Sequence, residues 1–383
     1  MSSQQKSNTC AEPALTRARR TFRSVLGAMR THYPGFLLGL PLPRGTLPVF
    51  VYHDVDPLLF AGDLEFLRRN RYRTLSLEEF ASAAAGKSHG MGRGVLLTFD
   101  DARRNFHETA LPILKEFNAR ATLFAPTYWM SVAGGTADGE RFMSWEQLRA
   151  AAATGLIDVQ SHAHRHALVF TSGRLLDFAN PRTLARYDIY DWPMRNTSRG
   201  EELGRPSLGA PIYAATPLLS ASRRFVEDAE VAAACIEQVA RGGADDFFTR
   251  PDWSATLRRL HGARGKAPGR FADEAALRAL VASEFELSRE LFVRHLGYSP
   301  QYLAYPWMMG SPQSLQLAPR FGLRGVFGVA LDYGRARATL PVSAYGRLKA
   351  DWLRLLPGSG RSSFFSIAAN KVMGIARTQH LAH

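Results

Sequence analysis

Gly94-Val95-Leu96-Leu97-Thr98-Phe99-Asp100-Asp101 decides how this chain folds. Its apolar run has the length and continuity of a strand buried on both faces, the kind found in the parallel sheets of α/β proteins. The two aspartates then stand at the strand's carboxyl end, where such folds place their chemistry. A second run, Leu156-Ile157-Asp158-Val159-Gln160, delivers Ser161-His162-Ala163-His164-Arg165-His166 to the same kind of position. One carboxylate with the two imidazoles of His162 and His166, four residues apart, is a three-ligand set for a divalent transition metal. It leaves coordination positions open for water and substrate, and the remaining carboxylate is free to act as a base.

Outward from these strands the pattern alternates. Leu47 to Tyr52 reads as a first buried strand ending in His53-Asp54. Phe60, Leu64 and Leu67 have helical spacing that stops near Asn70, and Leu75 to Phe80 begins a further short helix. After the aspartates, Phe106, Ala110, Ile113, Leu114 and Phe117 trace one helical face despite Pro112, and residues 120–125 form the next strand. Ser144-Trp145-Glu146-Gln147 opens a helix with a capping box, and Gly155 closes it. The spacing predicts a long amphipathic helix from about Asp273 to Leu296, a strand over 302–305, a helix over 312–321 and a strand from Gly325 to Ala330. Strand and helix in alternation imply parallel strands with right-handed crossovers.

Residues 167–271 break the rhythm with Arg, Pro, Gly and turn signals, so they read as an insertion, a lid or substrate-recognition region. Residues 1–45 read as a basic amino-terminal arm, with an amphipathic helix over 14–31, and residues 46–383 as the catalytic domain. Arg19-Arg20-Thr21-Phe22 is followed by too short an apolar segment for an export signal, and no stretch is long enough to span a bilayer.

The net charge of +14 over 383 residues suits polyanionic surroundings. No helix-turn-helix, zinc-finger or aromatic RNA-binding signature accompanies it, so nucleic acid is not expected as a partner. An anionic membrane face met peripherally is the alternative. Cys10 and Cys235 are too few for a disulfide framework, which points to a reducing, cytoplasmic compartment.

Hydrolysis of an amide or ester needs an activated water, a proton acceptor, charge stabilisation at the carbonyl oxygen and a proton donor to the leaving group. A metal on Asp101, His162 and His166 supplies polarisation, with zinc the default ion. Asp100 cannot easily share that ion with its neighbour and is better placed as the general base. His53 is the candidate acid. A backbone N–H in Tyr305-Pro306-Trp307, at a fourth strand end, is the candidate oxyanion contact and substrate wall.

Thr98-Phe99-Asp100-Asp101 and His162-x-x-x-His166 resemble the first two motifs of the polysaccharide deacetylases, the NodB-homology domain of carbohydrate esterase family four. Tyr52-His53, Ala121-Thr122-Leu123-Phe124, Trp145-Glu146-Gln147-Leu148 and Ala304-Tyr305-Pro306-Trp307 are similar to the same family. The resemblance implies an α/β fold, a distorted (β/α) barrel, and metal-dependent removal of N-acetyl groups from an amino-sugar glycan. It makes Asp100 the base and Asp101 a ligand beside His162 and His166. The Tyr-His pair resembles the poly-N-acetylglucosamine deacetylases, in which that histidine is the acid. Ala102 stands where the family usually has Gly, Trp307 where Tyr is common, and Met308 where Gly often follows. An O-acetyl carbohydrate esterase and a non-catalytic glycan-binding protein on this fold are the alternatives. A non-haem iron oxygenase shares the ligand types but not the alternating strands and helices.

Overall fold

The computed structural model describes residues 47–87, 93–132, 141–265, 267–328, 340–363 and 366–367. The amino-terminal arm, its expected amphipathic helix and Cys10 lie outside the described residues.

The first half of the chain builds strands β1 (Val49–Tyr52), β2 (Arg73–Thr74), β3 (Gly94–Phe99), β4 (Ala121–Ala125) and β5 (Ile157–Ser161). The inserted segment supplies β6 (Leu168–Phe178), β7 (Pro193–Thr197), β8 (Gly200–Glu202), β9 (Pro211–Pro217), β10 (Phe225–Glu227) and β11 (Gly269–Phe271). The chain then returns with β12 (Tyr302–Ala304), β13 (Gly325–Phe327), β14 (Ser343–Tyr345) and β15 (Leu348–Lys349).

The main sheet runs β14-β13-β12-β5-β4-β3-β1-β15, with β2 on β3, and its pairings are parallel. Its two outer strands are parts of one segment. β14 pairs with β13, and after Gly346 and Arg347 the same segment pairs with β1 as β15. Residues 343–349 therefore lie against both edges and close the sheet into a ring of parallel strands. This is the distorted (β/α) barrel that the family resemblance implies.

Alternation along each strand sorts its side chains. Phe50, Tyr52, Leu97 and Phe99 join the apolar layer under Phe60 and Leu64 of the helix Pro57–Arg69. Val49, Leu96, Phe124, Ala304 and Phe327 form a separate cluster with Phe80. Two-residue spacing puts Asp100 on the face of Leu96 and Thr98, away from the helical layer. In β5, the Ser161 hydroxyl lies 2.8 Å from that of Ser288 on the helix Glu274–Leu296, so His162 projects the other way.

Local signals set the element ends. Asp56 caps the helix Pro57–Arg69 by accepting from the amides of Leu58 and Leu59, and capping boxes open the helices at Ser76 and Ser144. Gly297 ends the long helix at φ 82°, where an L side chain is strained. The helical face after the aspartates begins as a π-turn over Phe106–Ala110 and becomes α-helical only at Leu111–Glu116, with Pro112 in the first α-turn. Proline has no N–H to continue the ladder, and a widened turn upstream absorbs the mismatch.

Residues 167–271 form a second sheet, β8-β7-β6-β9, and an antiparallel β10-β11 pair, with helices at Pro181–Arg186, Ala229–Arg241 and Trp253–Gly262. They have their own apolar cluster of Phe178, Cys235, Val239, Phe247 and Leu257. Cys235 is buried, and burial pushes its thiol up to about 11, which leaves it inert at neutral pH. The irregular composition of the segment thus conceals regular structure.

Candidate active site

β1, β3, β5 and β12 end at the same edge of the ring, because Tyr52 is in register with Phe99 and Ser161 with both Ala125 and Leu303. The next residues are His53, Asp100 with Asp101, His162 and Tyr305, so four separated stretches of sequence converge there.

Asp101, His162 and His166 are all buried and offer ligand atoms within 4.8 Å of one another. Asp101 Oδ1 lies 3.5 Å from His162 Nε2 and 3.6 Å from His166 Nε2. The backbone turns sharply to achieve this, with φ at 72° for Asp101, 46° for Ala102, 66° for Ala163 and 51° for His166. L residues rarely adopt this left-handed region, and such strain clusters at functional sites. Ala102 and Met308, the latter at φ 59°, keep the backbone that glycine would favour.

Three observations fit this group to a divalent cation. Asp101 Oδ1 is buried with no hydrogen-bond partner among the described residues, while Oδ2 accepts from Arg103 Nε at 3.2 Å. His162 Nδ1 lies 2.8 Å from the carbonyl of Ala304, which can only accept, so Nδ1 carries the proton and Nε2 presents its lone pair. The pocket also favours positive charge: burial works against protonating His162, yet Asp100 and Asp101 raise its pKa. Burial and the neighbouring His162 push His166 down to about 3, so it stands neutral and ready to ligate. Asp101 is held well below the usual carboxylate range, because its contacts with His162, Arg103 and His166 outweigh burial.

Asp100 lies beside the triad, its Oδ2 3.8 Å from His162 Nε2. Arg347 grips it with both arms, Nη1 to Oδ1 at 2.6 Å and Nη2 to Oδ2 at 2.8 Å. Burial favours the neutral acid, but Arg347 and His162 keep Asp100 ionised. Arg347 escaped the sequence reading. Its only local mark is a lone basic residue in the run Val342-Ser343-Ala344-Tyr345-Gly346-Arg347-Leu348.

His53 is half-buried. Burial lowers its pKa, against the opposing pull of Asp101 and Asp100, which places it near both carboxylates. Tyr305 is packed in the core, 1% exposed. Its amide donates to the Phe327 carbonyl at 2.9 Å, and its hydroxyl accepts from Ser314 Oγ at 3.1 Å. Pro306 has no N–H, so Trp307 is the candidate oxyanion amide of the three. The Trp307 ring lies 4.2 Å from that of His166, beside the triad.

His164, between the two ligand histidines, stands outside the group, with Nδ1 2.9 Å from Thr127 Oγ1. The loop carrying them is pinned by Glu284, whose Oε2 accepts from the amides of His164 and Arg165 at 3.1 and 2.8 Å.

A family model described as Polysaccharide deacetylase matches residues 87–187, a span that holds Asp100, Asp101, His162 and His166. Residues 87–187 are thus similar to a polysaccharide deacetylase domain. The match stops short of His53 and Arg347. A poly-beta-1,6-N-acetyl-D-glucosamine N-deacetylase of Escherichia coli is 29% identical over 105 residues, which are 25% of this chain and 16% of that relative. The chain thus matches only a minor part of that relative's length.

Among solved structures, the BpsB deacetylase domain from Bordetella bronchiseptica aligns with TM-score 0.51 at 20% identity, over 81% of this chain and 98% of that one. A de-N-acetylase from Aggregatibacter actinomycetemcomitans aligns with TM-score 0.50 at 16% identity, over 84% and 99%. Both likenesses concern the fold of the domain, and they extend it well beyond residues 87–187.

Proposed function

We propose that this chain is a metal-dependent carbohydrate N-deacetylase, which hydrolyses the acetamide of an amino-sugar-containing glycan to acetate and a free amine. The observation that carries this reading is the convergence of Asp101, His162 and His166 within 4.8 Å, with Asp100 beside them and kept ionised by Arg347. The activity named for the Escherichia coli relative supports an N-acetylated sugar polymer as substrate.

Asp101, His162 and His166 would hold a divalent ion, with zinc the first candidate, which when bound would supply Lewis acidity toward the acetyl carbonyl and water. Asp100 accepts the proton of the attacking water. The amide of Trp307 donates to the developing oxyanion. His53 donates a proton to the amine as the carbon–nitrogen bond breaks.

Among the described residues no helix is long and apolar enough to cross a membrane. A peripheral contact with an anionic membrane belongs to this reading, on two observations. Leu58 and Leu59 are 83% and 67% exposed at the start of the helix that follows His53, on the rim of the site, and the chain carries a net charge of +14.

The test is to incubate the purified protein, with and without a chelator, with N-acetylated and O-acetylated glycans, and to measure released acetate and free amine. Chelator-sensitive release of both in equal amounts supports the reading. Acetate without amine makes the protein an O-acetyl esterase, and release of neither overturns the assignment.

A further inference from the structure

We infer that the turn Asp188–Tyr190 of the inserted segment is a working part of the metal centre, with Tyr190 positioning His166 and Asp188 positioning Asp101 through Arg103. This rests on the reading that Asp101, His162 and His166 hold a metal.

The turn reaches both ligands. The ring of Tyr190 lies against that of His166, with centroids 3.9 Å apart and planes at 29°. Its orientation is fixed from behind by Trp129 and Phe142, at 5.6 and 5.7 Å, which are themselves stacked at 5.1 Å. Among the described residues, no hydrogen bond from another residue orients His166 Nδ1 as the Ala304 carbonyl orients His162. Nδ1 is buried without a hydrogen-bond partner among the described residues. A ligand histidine lacking that hydrogen bond depends on packing to hold its ring plane, and the Tyr190 face provides it.

The second arm is electrostatic. Arg103 donates Nε to Asp101 Oδ2, which leaves Oδ1 for the ion. The far end of Arg103 sits between two carboxylates, with Nη1 3.6 Å from Asp188 Oδ2 and 3.7 Å from Asp54 Oδ2. Asp188 Oδ2 is itself held by Arg141 Nη2 at 2.7 Å. The Arg103 side chain is only 12% exposed, so these contacts are little screened by solvent. Arg103 alone would repel a cation. Asp188 offsets that charge and keeps the guanidinium aimed at Oδ2, so the carboxylate stays oriented without a net positive charge beside the ion. Asp188 and Tyr190 touch no reacting atom in this scheme and are positioning residues.

The experiment uses the full chain stripped of metal, with Zn²⁺ affinity measured by competition with a chromophoric chelator and Co²⁺ loading followed by visible absorption. Metal-free thermal unfolding serves as the fold control. Asp188→Asn and Tyr190→Ala are expected to weaken binding roughly 10–100-fold, the usual effect of removing groups that orient ligands. They should also change the Co²⁺ spectrum while leaving the metal-free transition cooperative. Tyr190→Phe keeps the ring and is expected to bind as the parent does. If Tyr190→Ala fails to fold, Tyr190→Leu fills the space without an aromatic face and carries the same expectation. Parent-like affinity and spectrum in Asp188→Asn and in the Tyr190 variant overturn the inference. A parent protein that binds neither ion overturns the metal reading beneath it, which is a separate result.

Discussion

Asp100 and Arg347 stand 247 residues apart in the chain, yet meet in a forked, fully buried ion pair at the mouth of the barrel. Forked guanidinium–carboxylate pairs are strong and directional, and breaking one by deleting a single partner strands a charge. Arg347→Met is expected to destabilise the fold by about 3–5 kcal/mol and to lower the hydrolysis rate by roughly two orders of magnitude or more. The sign with pH is definite. The pKa of Asp100 is depressed in the parent, so its contribution to stability is full above the unfolded value and is lost as pH falls through the folded one. Without Arg347, burial dominates and raises the pKa, so the penalty grows as pH rises and the acid limb of the activity profile moves upward. Denaturant melts at pH 5 and pH 8, with a pH–rate profile, check both statements.

Asp101→Asn and His166→Ala each remove one of the three proposed metal ligands. Both are expected to reduce metal content, measured by elemental analysis, and to abolish restoration of activity when a divalent ion is added back after chelation. Retention of a full equivalent of metal by either variant would place the ion elsewhere.

The proposed acid at His53 matters in proportion to how poor the leaving group is. His53→Gln is expected to slow amine release from N-acetyl glycans roughly 10²-fold or more, while an activated aryl acetate, whose leaving group needs no proton, loses far less. Equal losses on both substrates would assign His53 a structural role.

Ala102 combines a left-handed backbone at φ 46° with complete burial. Replacing it by glycine relieves strain of about 1–2 kcal/mol but loses about 0.8 kcal/mol of methyl burial and some chain entropy. Ala102→Gly is therefore expected within about 1 kcal/mol of the parent, while Ala102→Val, which adds bulk and a branched Cβ, loses several times more. Chemical denaturation measures the ordering, and a Val variant as stable as the Gly variant would contradict it.

Leu58 and Leu59 give the membrane contact its own check. Leu58→Ser with Leu59→Ser is expected to reduce sedimentation with phosphatidylserine-containing vesicles several-fold while leaving hydrolysis of a short soluble substrate unchanged. Adding salt should weaken the parent's binding. Equal sedimentation of parent and variant would remove these leucines from any lipid contact.

The triad was legible because Asp101 and His162 stand just past strand-like runs, so local pattern carries them to strand ends, and His166 follows His162 by four residues. Asp100 and Asp101 follow β3, and His162 follows β5. The strand bounds expected around them, 95–99 and 156–160, differ from the observed Gly94–Phe99 and Ile157–Ser161 by one residue. Arg347 was hidden because its meaning lies in a partner far away in sequence and in a closing strand split by Gly346 into pieces too short for periodicity to register. The sheet of the insertion was hidden for another reason. β6 pairs with β9 through register shifts between Phe170 and Leu175 and again before Asp177, which erase the alternation that marks a strand. Tyr190 showed nothing beyond being an aromatic residue, since its role depends on the ring of His166 beneath it.

The segment that completes the ring is also synthesised after every other strand of the main sheet. A nascent chain that has not yet reached residue 343 holds Asp100, Asp101, His162 and His166, yet lacks the guanidinium that pairs with Asp100. Ring closure and the charge on the proposed base are thus tied together: docking of residues 343–349 on both edges of the sheet also brings the guanidinium to Asp100.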